Sequence, residues 1–356
     1  MKDPIFKEAK EKNIGKANYI SPEAQSLLMV AQEVGKKERS NYFTTPELAE
    51  KGKLFMPTGC PSGMIWEEWK DKDHVVYPAL ASAKLDGSKM YNTRRNDKVF
   101  LNTRSAKEHL NFKHIEEALS EFSKKRPNIV LDGEAYNSEY AERFEELQSI
   151  FRKQKPTEEQ RALSEEIARF YVYDAIDLNE PDMDAEHRQF LLKEVLEEIN
   201  HPYIIWWPST LVDSEKEYDK FHEKCMDDGF EGSVLKIADA SYAQRKNKFV
   251  MKRKPKFDCE FLITDVVEGE GTNKGIASKV IIDLNTGIGI NKGHDLLLSK
   301  EGSQDAGMAK GWNHEMLANV LKNKSDYIGK VGTIEYGGIT SHGKLRFPKF
   351  KALRDD

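Results

Sequence analysis

Three short stretches of this chain hold residues that can do chemistry together. In ASAKLDGSKM, residues 81–90, Lys84 stands one residue from the Asp86-Gly87 pair. In NIVLDGEAYN, Asp132 and Glu134 are two apart, and in FVMKRKP, Lys252 and Lys254 are two apart. On a strand, residues i and i+2 share a face, so each pair would point one way among apolar neighbours. Carboxylates and lysines facing inward are expensive to bury and usually serve a ligand. That inventory suits a polyphosphate nucleotide. The lysines would neutralise phosphates, a carboxylate would hold Mg²⁺, and Tyr171-Val172-Tyr173 would offer a ring to a base. A lysine acts as a nucleophile only when deprotonated, which neighbouring cations or desolvation favour. Lys252 and Lys254 would supply such cations beside Lys84.

Each residue also has a plain structural reading. Lys84 would be a solvated charge beside a hairpin turn, and Asp-Gly-Glu a turn or solvated edge. Lys252-Arg253-Lys254 would be an exposed face, and Tyr171 and Tyr173 core and rim aromatics. Joint occurrence of these stretches along one chain favours the ligand-binding reading.

The elements that must position these residues can be read from their patterns. SKMYNTRR and KVFLNTRS predict two strands joined at Asn96-Asp97. NIVLDGEAYN, RFYVYDAIDL, FEGSVLKI and KFVMKRK predict further strands, with a helical insert at roughly 138–168. EHRQFLLKEVLEEI has the three-and-four spacing of an amphipathic helix. Near the N-terminus, Ser21-Pro22 reads as the cap and first position of a helix over EAQSLLMVAQEVG, and TTPELAEKG as a shorter helix. After Pro255, CEFLITDVVEG, SKVIIDLNTG and VGTIEYGG predict strands between Gly-rich turns. They suit a small barrel of the oligonucleotide-binding (OB-fold) kind. The expected class is α+β, with antiparallel sheets and flanking helices followed by that barrel. The expected units are an unassigned, partly helical extension over 1–75, a domain over 76–256 and a barrel over 257–356.

The totals narrow the class. At 356 residues the chain suits two domains. A net charge of -5 argues against a protein that simply coats nucleic acid, although QRKNKFVMKRKPKF is half Lys and Arg. Cys60, Cys225 and Cys259 form no C-x-x-C pair, so neither a zinc ribbon nor a disulfide framework is expected, and a reducing compartment is. YIIWWPSTLV is too short and broken for a membrane span, and MKDPIFKEAKEKN lacks a signal-peptide core.

In order, the motifs resemble those of the covalent nucleotidyltransferases, and within them the small bacteriophage-type ATP-dependent DNA ligases, from about Val75 to the C-terminus. Lys84-Leu85-Asp86-Gly87-Ser88-Lys89 is similar to K-x-D-G-x-R, with Lys89 in place of arginine. Asn102-Thr103-Arg104-Ser105, Leu131-Asp132-Gly133-Glu134 and Phe170 to Asp174 resemble the next three motifs. Phe230-Glu231-Gly232-Ser233-Val234-Leu235-Lys236 and Met251-Lys252-Arg253-Lys254-Pro255 resemble the two that follow. In the barrel, GKLRFPKF (343–350) is similar to G-x-L-R-x-P-x-F, and Arg354-Asp355-Asp356 to R-x-D-K, with Asp356 in place of lysine.

The resemblance implies a nucleotidyltransferase (adenylation) domain whose Lys84 takes AMP from ATP, helped by Lys252 and Lys254. It implies nucleotide contacts from Asp86, Lys89, Arg104, Glu134, Tyr173, Glu231 and Lys236, and a Mg²⁺ or Mn²⁺ site at Glu231 and Glu134. Arg104, Arg346, Lys349 and Arg354 would meet DNA. The expected partner is nicked double-stranded DNA and the expected form a monomer, away from membranes. The expected compartment is the cytoplasm, the host's if the source is viral. An RNA ligase or a GTP-using capping-type enzyme is the alternative, and a barrel fused to an inactive nucleotidyltransferase a third. A NAD-dependent ligase would need a zinc module, for which the cysteines are lacking.

Overall fold

Lys84 sits between two strands, but they do not form a hairpin. In the computed structural model β1 (Ala79–Ala83) and β2 (Ser88–Arg95) belong to different sheets. The hairpin-turn reading of Lys84 is thereby excluded: the segment 84–87 crosses from one sheet to the other. The structure describes residues 8–38, 42, 45–47, 66, 75–139, 144–151, 153, 155–244, 247–290, 293–299, 301–340 and 342–354.

The larger sheet contains β2, β3 (Lys98–Asn102), β4 (Ile129–Tyr136), β5 (Arg169–Asp177) and β6 (Ile204–Trp206), in the order β3-β2-β4-β5-β6. All its pairs are antiparallel except β5 with β6. Asn96 and Asp97 take positive φ of 48° and 60°, which suits a tight β2–β3 turn. The smaller sheet contains β1, β7 (Thr210–Val212), β8 (Ser233–Ile237) and β9 (Val250–Arg253), in the order β7-β1-β8-β9.

Helices cover the sheets. After α1 (Pro22–Glu38) come α2 (Lys113–Lys125), α3 (Phe144–Phe151), α4 (Glu158–Ile167), α5 (Ala185–Ile199) and α6 (Glu215–Asp227). Ile115 and Leu119 of α2 and Leu192 and Val195 of α5 pack with Met90, Leu131, Phe170 and Val172 into the main core. Their spacing of three and four residues places them on one helix face. Tyr218 of α6 joins Trp66, Ala79, Leu235 and Met251 behind the smaller sheet. Caps stop the helices where the sequence breaks. The Asp184 carboxylate accepts from His187 N at 2.9 Å, Asn200 ends α5 in the left-handed region, and Thr157 and Gln160 cap each other's backbone at the start of α4.

The last strands close a barrel in the order β10-β11-β12-β14-β13. They are β10 (Phe257–Glu268), β11 (Ala277–Ile288), β12 (Ser303–Met308), β13 (Val331–Tyr336) and β14 (Lys349–Leu353). Helices α7 (His294–Leu297) and α8 (His314–Lys322) lie in its connections. Phe261, Ile263, Val280, Ile282, Ile334 and Phe350 fill it, and Trp312 stacks on Phe350 at 5.6 Å. Three of the five strands were expected; β12, β14 and both helices were not.

At the N-terminus, Ser21 Oγ accepts from Ala24 N at 3.3 Å and opens α1 as the sequence suggests. The shorter helix over TTPELAEKG is described only at 45–47. Cys60, Arg245, Lys246, Asp355 and Asp356 lie outside the described residues.

Candidate active site

The crossover at 84–87 forms one wall of a cavity of about 290 Å³ between the two sheets. Lys84 N donates to Gly232 O at 2.9 Å and Trp207 Nε1 to Ala83 O at 2.8 Å, so the backbone on both sides of the lysine is held. Gly232 carries φ +143°, and a Cβ there would stand 2.0 Å from Arg253 O. Only glycine lets β8 and β9 approach so closely beside the site.

Glu231, just before that glycine, joins the charges. One carboxylate oxygen pairs with Lys84 Nζ, the other with Lys254 Nζ. Burial pushes the Glu231 carboxyl up, but Lys84 and Lys254 outweigh it and hold it below the usual range. Burial, reinforced by the charge of Lys84, pushes the Lys254 ammonium down. Lys252 and Lys254 both line the cavity, as their two-residue spacing predicts.

The opposite wall comes from β2, β4 and β5. Lys89 pairs with Asp132, and its Nζ donates to Tyr173 Oη at 2.6 Å. Asp132 also accepts from Tyr242 Oη at 2.7 Å. Glu134 faces the same cavity, and burial raises its carboxyl to about 7 despite Lys84, Lys89 and Arg104 nearby. At the floor, Lys236 Nζ meets Asp174 Oδ2 at 2.6 Å. Burial pushes Asp174 up, but Lys236 and Arg188 overcome it and hold the carboxyl at about 2.

The structure thus brings Lys84, Lys89, Arg104, Glu134, Tyr173, Lys236, Lys252 and Lys254 to one cavity, with Glu231 bonded to two of them. Tyr171 is instead buried against Tyr136 and Trp207, with ring centroids 5.2 and 5.7 Å away, so of the two tyrosines only Tyr173 lines the cavity. Asp86 bonds Arg346 of the barrel at 2.8 Å, which brings the barrel's GKLRFPKF segment to the site. Lys349 is exposed on β14. Arg354 pairs with Glu260 on β10, and neither residue lines the cavity.

Residue patterns did not single out Ser82, Ser209 or Tyr242, which also line the cavity. Ser82 precedes Lys84 by two, a signal that strand alternation could have supplied. Tyr242 lies outside the named strands and has no periodic signal. Among the described residues no group of three or more His, Cys, Asp or Glu could hold a metal on its own. No described helix is long and apolar enough to cross a membrane.

Known proteins resemble the chain in sequence and in fold. The chain is similar to the DNA ligase of Enterobacteria phage T4, at 24% identity over 329 residues, 80% of this chain and 66% of that protein. It is 26% identical over 184 residues to the DNA ligase of Methanocorpusculum labreanum, covering 46% of this chain and 31% of the relative. It therefore spans about a third of that relative's length. Among solved structures, that named Pmar-Lig_PreS3 aligns with a TM-score of 0.68 at 21% identity, over 86% of this chain and 70% of the other. A Lig E DNA ligase structure aligns at 0.63 and 19%, over 85% of this chain and all of the other. These structural likenesses establish the fold: two facing sheets followed by a barrel. The family model described as "ATP dependent DNA ligase domain" matches residues 73–254, half of the chain, and takes in every wall of the cavity; the chain belongs to that family.

Proposed function

We propose that this protein is an ATP-dependent DNA ligase that seals nicks in duplex DNA through a covalent lysyl-AMP. The observation that carries the proposal is Lys84 itself. Its amine is held at the cavity by Glu231, beside Lys254, with its backbone fixed on both sides. In the first step Lys84 Nζ attacks the α-phosphorus of ATP, a P–N bond forms and pyrophosphate leaves. AMP then passes to the 5′-phosphate of a nick, freeing Lys84. The 3′-hydroxyl attacks that activated phosphate, seals the strand and releases AMP. Storing the nucleotide on Lys84 splits one difficult displacement into easier ones. Lys252 and Lys254 would offset charge developing on the phosphates, and Lys236 would add to it from the floor. Asp86, Lys89 and Arg104 would contact the nucleotide, with Tyr173 at the base.

The residues fit a Mg²⁺ ion. Glu134 is a cavity carboxyl that burial leaves at about 7, a state a nearby cation would relieve, and Glu231 offers a second hard oxygen donor. Mg²⁺ usually takes one or two carboxylates together with substrate phosphates. Bound there, it would draw electron density from the phosphates as pyrophosphate departs.

The chain is read as an adenylation domain over 76–256 and a DNA-facing barrel over 257–356, acting as a monomer in the cytoplasm, the host's if the source is viral. Free, buried Cys225 and Cys259 suit a reducing compartment. Incubation with Mg-ATP, followed by intact mass measurement, tests the first step. One AMP adduct is expected on the native protein and none on Lys84→Ala. Sealing of a nicked DNA duplex, with nicked RNA and GTP as comparisons, tests the rest. Adduct formation without DNA sealing would point to a different acceptor.

A further inference from the structure

Arg188 lies outside the cavity wall and is only 2% exposed, yet four of its hydrogen bonds converge behind the wall. Its Nε and Nη2 donate to Asp174 Oδ1 and Oδ2 at 2.8 and 3.3 Å. Its Nη1 donates to the carbonyls of Met183 and Ala240 at 2.7 and 3.2 Å. The guanidinium also lies 5.4 Å from the centroid of the Tyr242 ring, whose hydroxyl donates to Asp132. The next residue of α5, Gln189, donates to the Tyr173 carbonyl at 3.0 Å. Two consecutive helix residues thus grip two consecutive residues of β5, Tyr173 and Asp174, both of which line the cavity.

Apolar contacts from Leu192 and Val195 already hold α5 on the sheet, so attachment alone does not require a buried guanidinium. A buried ion pair is a poor source of stability compared with apolar packing. Its effect is on charge. Asp174, itself 2% exposed, accepts from both Arg188 and Lys236. With Arg188 present, one carboxylate is shared by two cations, and the group keeps a surplus positive charge at Lys236, which lines the cavity. Without Arg188, Asp174 and Lys236 would cancel.

We propose that Arg188 is a positioning residue that keeps Lys236 electrostatically available to the ligand's phosphates by occupying the far side of Asp174. The proposal rests on the nucleotide reading of the cavity. It acts on binding of the polyphosphate rather than on the bond changes at Lys84.

The test compares native protein, Arg188→Met and Arg188→Met/Asp174→Asn, each first checked for cooperative thermal unfolding. Apparent KM for ATP and the saturating rate are read from AMP-adduct formation, and inorganic tripolyphosphate serves as a competing ligand. Arg188→Met is expected to raise KM and weaken tripolyphosphate competition roughly tenfold, about the worth of one charge-assisted contact, with the saturating rate within about threefold. Neutralising Asp174 in that background should restore KM to within about threefold of native, because Lys236 is freed from cancellation. A purely structural role would make the double variant worse than the single. Should Arg188→Met not fold, Arg188→Lys, which keeps the charge but loses the two-pronged contact, is expected to fall between native and tenfold. An unchanged KM in folded Arg188→Met, or a double variant weaker than the single, overturns the proposal. No adduct on the native protein would instead sink the proposed function, and tripolyphosphate binding, measured by calorimetry, would still report on Arg188.

Discussion

Glu134 lines the cavity and Glu231 bonds two of its lysines, yet their carboxyls shift in opposite directions, and the difference lies in their partners. Glu231 has a lysine on each oxygen and is held ionised. Removing its charge leaves Lys84 and Lys254 facing each other without a counter-ion. Glu231→Gln is expected to slow AMP-adduct formation on the order of a hundredfold, since preorganised charge is usually the largest contribution in such sites. A rate within threefold of native would remove Glu231 from the chemistry. Among the described residues no lysine bonds Glu134, and burial lifts its carboxyl from an ordinary 4.5 to about 7. The unfolded chain releases that proton at lower pH than the folded one. Its contribution to stability is therefore fully present below about pH 4.5 and is lost as pH rises through 7. The whole loss has a ceiling of about 3 kcal/mol. Glu134→Gln cannot ionise, so the variant should gain on the native protein in denaturant midpoint between pH 5 and pH 8. A gap that does not change with pH would show that the carboxyl titrates normally.

At the scale of elements, the site depends on how closely β8, β9 and the 84–87 crossover approach. Gly232→Ala would set a Cβ 2.0 Å from Arg253 O at a φ of +143°. The expected cost is roughly 2–4 kcal/mol, read as a lowered melting temperature. Loss of adduct formation should exceed the loss of fold, because Gly232 O also holds Lys84 N. An alanine variant that melts with the native protein would contradict the close approach. Several strands that supply the cavity are legible as runs rich in β-branched or aromatic residues between turn residues, as in NIVLDGEAY and RFYVYDAID, whereas β1, reading ALASA, has no β-branched residue. Lys252 and Lys254, and Asp132 and Glu134, share the cavity as strand alternation requires. What local pattern did not carry was pairing. That β1 and β2 enter different sheets depends on partners more than a hundred residues away, such as β7 and β8. β12, reading SQDAGM, has no β-branched residue and is a strand because β11 and β14 bracket it. Tyr242 and Arg188 were missed for the same reason: Tyr242 reaches Asp132 across 110 residues, and a buried arginine on an amphipathic helix resembles a solvated one in sequence.

For the whole molecule, the question is where the barrel sits in each step. Arg346 reaches Asp86 across 260 residues, and Phe347 beside it lies 5.8 Å from Lys254 Nζ by its ring centroid. In this arrangement Arg346 and Phe347 of the barrel's GKLRFPKF segment meet Asp86 and Lys254 beside the cavity. Burial and the charge of Glu231 push the Asp86 carboxyl up, while Arg346 opposes them, so the seat is a charged contact in a partly desolvated place. If the barrel swings from this seat to reach DNA, with a hinge after Lys254, Arg346 becomes free to meet a phosphate. On the proposed function, the net charge of -5 gives the molecule no general attraction for DNA, so affinity would come from local basic positions such as Lys349 and the run around β9. Binding to nicked duplex should then weaken steeply with salt, with a log–log slope of about -0.9 for each phosphate neutralised. Lys349→Ala and Arg346→Ala are each expected to reduce that slope by about one, without changing preference among sequences. A reduced slope for Lys349→Ala alone would mean that Arg346 stays on Asp86 in the complex. The barrel would then hold DNA without leaving the nucleotide site, and the swing would be the idea to abandon.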